Sequence, residues 1–116
     1  PIVFARKKKS LLTKGEQYTA AIYSYTKQEE YTASISKAYL HAGEHILIID
    51  DFLASGAAAI GLTKLAAEAG CTVAGIGIVV EKTFQCGRHK LEDAGFRVES
   101  LARISRFENN RPVFAE

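Results

Sequence analysis

Two carboxylates, Asp50 and Asp51, follow directly on the aliphatic run Ile46, Leu47, Ile48 and Ile49, and three positions later comes a stretch nearly bare of side chains, Ala54, Ser55, Gly56, Ala57 and Ala58. Such a stretch lets an oxyanion approach the backbone. Where it opens a helix, the unpaired N–H groups of the first turn and the positive end of the helix dipole attract negative charge. Ser55 adds a hydroxyl that can bind the anion or cap the helix. The two acids would repel a phosphate at contact, so their chemistry is different: from a few ångströms away they can accept hydrogen bonds from vicinal hydroxyls. Recognition of a ribose by its hydroxyls, with its 5′-phosphate in the loop, uses both features. The alternative, an N-cap serine ahead of an alanine-rich helix, accounts for Ser55 and leaves the adjacent carboxylates unexplained.

Other motifs narrow the chemistry. No Gly-Lys-Ser/Thr follows the loop, so it is not a Walker A motif, and Gly75-Ile76-Gly77 lies inside a strand without the spacing of a dinucleotide fingerprint. Asp50, Asp51 and the distant Lys82 imitate a receiver domain, which has no need of a glycine–alanine loop directly after its acids. Lys82, taken alone, reads equally as a strand-end surface lysine, and Phe84 as a core residue. Arg6, Lys7, Lys8, Lys9 and Lys14 crowd the start of the chain and suit a phosphate-rich partner or a solvated basic face. Cys71 and Cys86 have neither CxxC nor paired-histidine spacing, so neither zinc nor a disulfide framework is signalled.

The elements that must position these residues read as α/β. Gly43 to Asp50 reads as an apolar strand behind a turn, with Ile46 to Ile49 its central run, and Thr72 to Val80 as a second apolar strand, both of the kind covered on both faces; Arg97 to Ser105 is a last central strand. Between them the pattern predicts one helix from about Ala57 to Ala69, stopped by Gly70, and a second, shorter one over Gly87 to Gly95. Strand, helix, strand, helix, strand is the signature of a parallel sheet, in which ligands collect at the carboxyl ends of the strands, where Asp50, Asp51 and Lys82 stand. Ile2 to Ala5 is expected to form a short strand, and the Tyr- and Thr-rich segment from Leu11 to Ser34 a β-hairpin or mobile flap. A length of 116 residues fits one domain, 1–116, and 47% apolar with 24% charged residues is the composition of a soluble globular protein. No apolar run reaches the roughly 18 residues of a membrane span, and a net charge of +2 is a weak footprint for nucleic acid. No signal peptide is visible, which predicts a reducing cytoplasm. The opening Pro-Ile-Val-Phe-Ala-Arg, without Met and already strand-like, reads as the start of a fragment.

With these residues in hand, the chain resembles the type I phosphoribosyltransferases through the stretch ILIIDDFLASGAA, and together with GIGIVVEKTFQCGR and RVESLARI it is similar over its whole length to the bacterial xanthine phosphoribosyltransferase family. The resemblance implies a parallel-sheet α/β fold with a flexible hairpin flap, here without the N-terminal part and the hood over the purine. It implies a glycosyltransferase of purine salvage that moves 5-phosphoribosyl from phosphoribosyl pyrophosphate to xanthine, giving XMP and pyrophosphate. By position, Ala54, Ser55, Gly56, Ala57 and Ala58 match its 5′-phosphate loop, Asp50 and Asp51 its ribose-binding catalytic acids, Lys82 and Phe84 its purine contacts, and Arg6 and Lys7 its pyrophosphate contacts. Mg²⁺ would arrive with phosphoribosyl pyrophosphate, held mainly by that substrate's oxygens and not by a metal site of the protein. A cytoplasmic homodimer acting on small molecules, not on nucleic acid or membranes, is the implied setting. A phosphoribosyl-pyrophosphate-sensing purine regulator, which shares the loop without catalysis, and an inactive fragment of the enzyme are the alternatives.

Overall fold

Runs of β-branched and aliphatic residues form two sheets, and an alanine-rich helix packs between them. The computed structural model describes residues 2–8, 17–24 and 28–115. The first sheet holds β1 (Arg6–Lys8), β2 (Gln17–Ser24) and β3 (Glu29–Ser36), antiparallel in the order β1-β3-β2. The second holds β4 (His45–Leu53), β5 (Thr72–Lys82) and β6 (Val98–Glu108), all parallel, with β7 (Arg111–Phe114) antiparallel at the edge. The crossovers are α1 (Ala57–Ala69) and α2 (Gly87–Asp93).

α1 has the bounds its sequence predicts because both ends are set locally. Gly56 and Gly70 take left-handed φ values of 87° and 78°, and at the C-terminal end the amides of Gly70 and Cys71 donate to the carbonyls of Ala67 and Ala66. One side of α1 packs on the parallel sheet in a core of Ile48, Leu53, Ala59, Ile76, Ile78, Leu91 and Val98. Its other side carries Leu65 against Ile22 and Ala33 of the antiparallel sheet. The antiparallel sheet is thereby held over the region where β4 ends.

Three expectations change, and one is met within the described residues. Ile2 to Ala5 is not a strand: pairing with β3 begins at Arg6, and Ile2 and Phe4 are exposed, with no partner strand to bury their side chains among the described residues. The hairpin is present as β2 and β3, while its expected beginning at Leu11 to Glu16, like Lys9, lies outside the described residues. The central strands are not covered on both faces, since Leu47, Ile49 and Leu101 are 62%, 64% and 87% exposed. The sheet order β4-β5-β6 gives the reason: successive right-handed crossovers stepping in one direction put both helices on the same face. Finally, β6 is followed by β7, through a two-residue turn in which Asn109 and Asn110 have φ of 50° and 62°, the left-handed pair that a tight hairpin requires.

Candidate active site

β4 carries the acids past the point where its apolar run stops. Asp50 is half-buried and Asp51 exposed, and the Asp51 amide donates to Asp50 Oδ1 at 2.9 Å. Successive residues of a strand point to opposite faces, so the two carboxylates do not share one environment. Asp50 is felt from the antiparallel sheet: burial, and then the negative charge of Asp50, push the Tyr31 phenol of β3 above its ordinary value. Asp50 therefore lies within electrostatic reach of the antiparallel sheet.

The strand runs on through Phe52 and Leu53 before the loop begins. Leu53 is buried, which anchors the loop from below. Ser55 Oγ accepts a long contact of 3.4 Å from the Ala57 amide. Among the described residues, the amides of Gly56, Ala58 and Ala59 donate no hydrogen bond. A helix start with orphan donors, no side-chain cap and no large side chain is a ready anion site. The left-handed φ of Gly56 creates this shape, and a side chain there would press on Gly87, whose Cα lies 3.0 Å from the Cβ position.

Lys82 ends β5 two strand positions beyond Val80, the register partner of Phe52. Its ammonium stands over the Phe52 ring, 5.1 Å from the centroid. Phe84 is 52% exposed, not core, and meets Phe107 of β6 edge-on at 6.2 Å. The structure thus brings Lys82 and Phe84 to one edge with two aromatic rings that the sequence reading passed over, Phe52 and Phe107. An aromatic directly after the acid pair was the available signal for Phe52; for Phe107 there was none.

Arg6 is elsewhere. It pairs with Ser34, and Ser34 alternates with Ala33 and Ile35, which pack toward α1, so Arg6 is on the outer face of the flap sheet. There it lines a cavity of about 250 Å³ with Gln17, Ser34 and Tyr39. Lys7 is paired by its backbone with Ala33.

Glu81, beside Lys82, is only 2% exposed. Arg88 Nε donates to both of its oxygens at 3.0 Å, Ser100 Oγ donates at 2.7 Å, and Arg103 Nε stands 3.4 Å away. Burial alone would raise the Glu81 carboxyl, but these donors and charges outweigh it and hold it below the usual carboxylate range, while Arg88 is pushed up. A carboxyl depressed in the fold adds stability above its unfolded value of about 4.3, and that stability is lost as pH falls through the lower folded value. Urea midpoints should therefore show wild type well above Glu81→Gln at pH 7, with the gap closing below about pH 4. A gap independent of pH would show that Glu81 does not act through its charge.

No family model matches the chain. The xanthine phosphoribosyltransferase of Shouchella clausii is 56% identical over 117 residues, covering 100% of this chain and 58% of that protein. The xanthine phosphoribosyltransferase of Lacticaseibacillus casei is 54% identical over 115 residues, covering 99% of this chain and 60% of that protein. The chain thus spans 58% and 60% of the length of these curated relatives. Among solved structures, the adenine phosphoribosyltransferase of Thermoanaerobacter pseudethanolicus superposes with a TM-score of 0.71 at 27% identity, over 86% of this chain and 56% of that one. That of Rhodothermus marinus superposes with a TM-score of 0.74 at 25% identity, over 88% of this chain and 55% of that one. With its parallel sheet, its acid pair ahead of a small-residue loop and these likenesses, the chain has the α/β fold of the type I phosphoribosyltransferases and is similar over its whole length to the xanthine phosphoribosyltransferases.

Proposed function

We propose that the chain is part of a xanthine phosphoribosyltransferase, which transfers 5-phosphoribosyl from phosphoribosyl pyrophosphate to N9 of xanthine and yields XMP and pyrophosphate in purine salvage. The observation that carries this reading is the set of unpaired amides at Gly56, Ala58 and Ala59, directly behind Asp50 and Asp51 at the carboxyl edge of the sheet. The choice of xanthine rests on what the relatives at 56% and 54% identity are named for.

In this reading Ala54 to Ala58 hold the 5′-phosphate and the acid pair holds the ribose hydroxyls. As pyrophosphate departs, C1′ gains oxocarbenium character, and a carboxylate of the pair stabilises the positive charge. Lys82 donates to an exocyclic oxygen of the base, and Phe84 packs on the ring. Arg6 and Lys7 are the candidates for the pyrophosphate; Arg6 lines the outer face of the antiparallel sheet, and Lys7 pairs by its backbone with Ala33. The flap sheet, close enough for Asp50 to act on Tyr31, excludes water that would otherwise hydrolyse the donor. Holding phosphate, ribose and base together makes positioning a large part of the advantage.

Mg²⁺ fits this edge as a substrate-borne ion. Among the described residues no cluster of three or more His, Cys, Asp or Glu could hold a metal, but the two adjacent carboxylates are hard oxygen donors of the kind an ion already coordinated by substrate and water accepts. When bound, it neutralises the leaving pyrophosphate. The proposal includes a cytoplasmic homodimer, for which exposed Ile2, Phe4 and Leu101 supply apolar surface; among the described residues no helix is long and apolar enough to cross a membrane.

The direct test is turnover of the full-length gene product with phosphoribosyl pyrophosphate, Mg²⁺ and each of xanthine, guanine and hypoxanthine, with nucleotides resolved by chromatography. XMP should form with the highest kcat/KM of the three products. Absence of any nucleotide from a folded protein that binds phosphoribosyl pyrophosphate would point instead to the regulator.

A further inference from the structure

The first two residues of α2 hold on to different parts of the site. The Gly87 amide donates to the Ala54 carbonyl at 2.9 Å. There is no room for a side chain on Gly87, because a Cβ would stand 2.5 Å from Ala54 O, 2.8 Å from Leu53 Cδ1 and 3.0 Å from Gly56 N. The phosphate loop and the start of α2 are thus in backbone contact, each kept bare by a glycine. Arg88 reaches the other way, to the buried Glu81 with Nη2 at 2.9 Å from Oε1 and Nε at 3.0 Å from both oxygens, and to the Val98 carbonyl with Nη1 at 2.9 Å. The Glu81–Arg88 pair closes a loop of chain whose contents are Lys82, Thr83, Phe84, Gln85, Cys86 and Gly87. Within it the Thr83 amide donates to Ile104 O and the Gln85 amide to Lys82 O.

Closing that loop with a bidentate pair on one side and a backbone junction with the phosphate loop on the other leaves it little freedom to slide. We propose that Gly87 and Arg88 are positioning residues, a clamp that sets the Lys82–Phe84 loop at one distance from the Ala54–Ala58 loop and so holds the base and the 5′-phosphate of a single purine nucleotide in register. The inference rests on the assignment of those loops above and adds their coupling. The clamp touches neither phosphate nor base. Its contribution appears only with a ligand that spans both loops, because two half-sites whose separation drifts each still bind their own fragment.

The test compares a spanning ligand with a fragment, in the full-length gene product, by calorimetry with XMP and with ribose 5-phosphate. Arg88→Met removes the pair, and Arg88→Lys keeps the charge while losing the two-pronged geometry. Arg88→Met should weaken XMP by about 100-fold, the scale of a misplacement near 1 Å, and leave ribose 5-phosphate within a factor of about two; Arg88→Lys should fall between. Should Arg88→Met fail to fold, Arg88→Lys is read by the same criterion. Equal weakening of both ligands, or none of either, overturns the clamp while the loops keep their roles. A wild-type protein that binds XMP no better than ribose 5-phosphate overturns the base-reading role of Lys82 and Phe84, and the clamp with it.

Discussion

Gly56→Asp should lower the affinity for phosphoribosyl pyrophosphate and for XMP by roughly 1000-fold or more. The new carboxylate would lie within about 4 Å of the bound phosphate, and two like charges at that range cost on the order of 4 kcal/mol at the effective dielectric of a protein surface. Geometry adds to this, since Gly56 has φ of 87° and Gly87 Cα at 3.0 Å from the Cβ position. Gly56→Ala separates the two contributions, because it suffers the left-handed strain of about 1–2 kcal/mol without the charge. Calorimetry on both variants should show alanine weaker than wild type by about tenfold and aspartate weaker again by a further large factor. Equal affinities for the two variants would mean that no anion sits against the loop. The same comparison at raised salt should narrow the gap, as screening reduces the repulsion.

Lys82→Met should reduce kcat/KM for every 6-oxopurine by the 10- to 150-fold that corresponds to about 1.5–3 kcal/mol for a charged hydrogen bond, and leave phosphoribosyl pyrophosphate binding nearly unchanged. Methionine suits the position, because its thioether packs well against an aromatic ring and the Lys82 side chain already lies over Phe52 at 5.1 Å. The substitution therefore removes the donor with little disturbance of the edge. It also separates enzyme from sensor: phosphate and ribose recognition do not use Lys82, so only a protein that reads a base suffers. Intact catalytic efficiency for xanthine, guanine and hypoxanthine alike would remove Lys82 from the purine site and favour the regulator.

Which face of an element is covered is not written in its own residues. A strand's apolar run says that it is buried but not on how many sides, and Leu47 and Ile49 belong to a run that reads as doubly covered while their face carries neither helix. Phe84 reversed in the other sense, reading as core and standing exposed beside Phe107. Arg6 reads as part of one basic unit with its neighbours, and the pairing of β1 with β3 puts it on the outer face of the antiparallel sheet.

By itself the sequence determined the local elements and the small-residue loop that follows the acid pair. α1 from Ala57 to Ala69, the runs that became β4 and β5, the short α2, and the acid pair ahead of an almost side-chain-free helix start all depend on caps, periodicity and residue size within a few positions of each other. Only the tertiary structure decided which face stays bare, that Phe52 and Phe107 attend Lys82 and Phe84, that Arg6 lines the outer side of the flap sheet, and that Gly87 meets Ala54 while Arg88 grips Glu81. These contacts join residues brought together by crossover handedness and sheet register, and no local propensity of Ala54 or Gly87 records that their backbones will lie 2.9 Å apart.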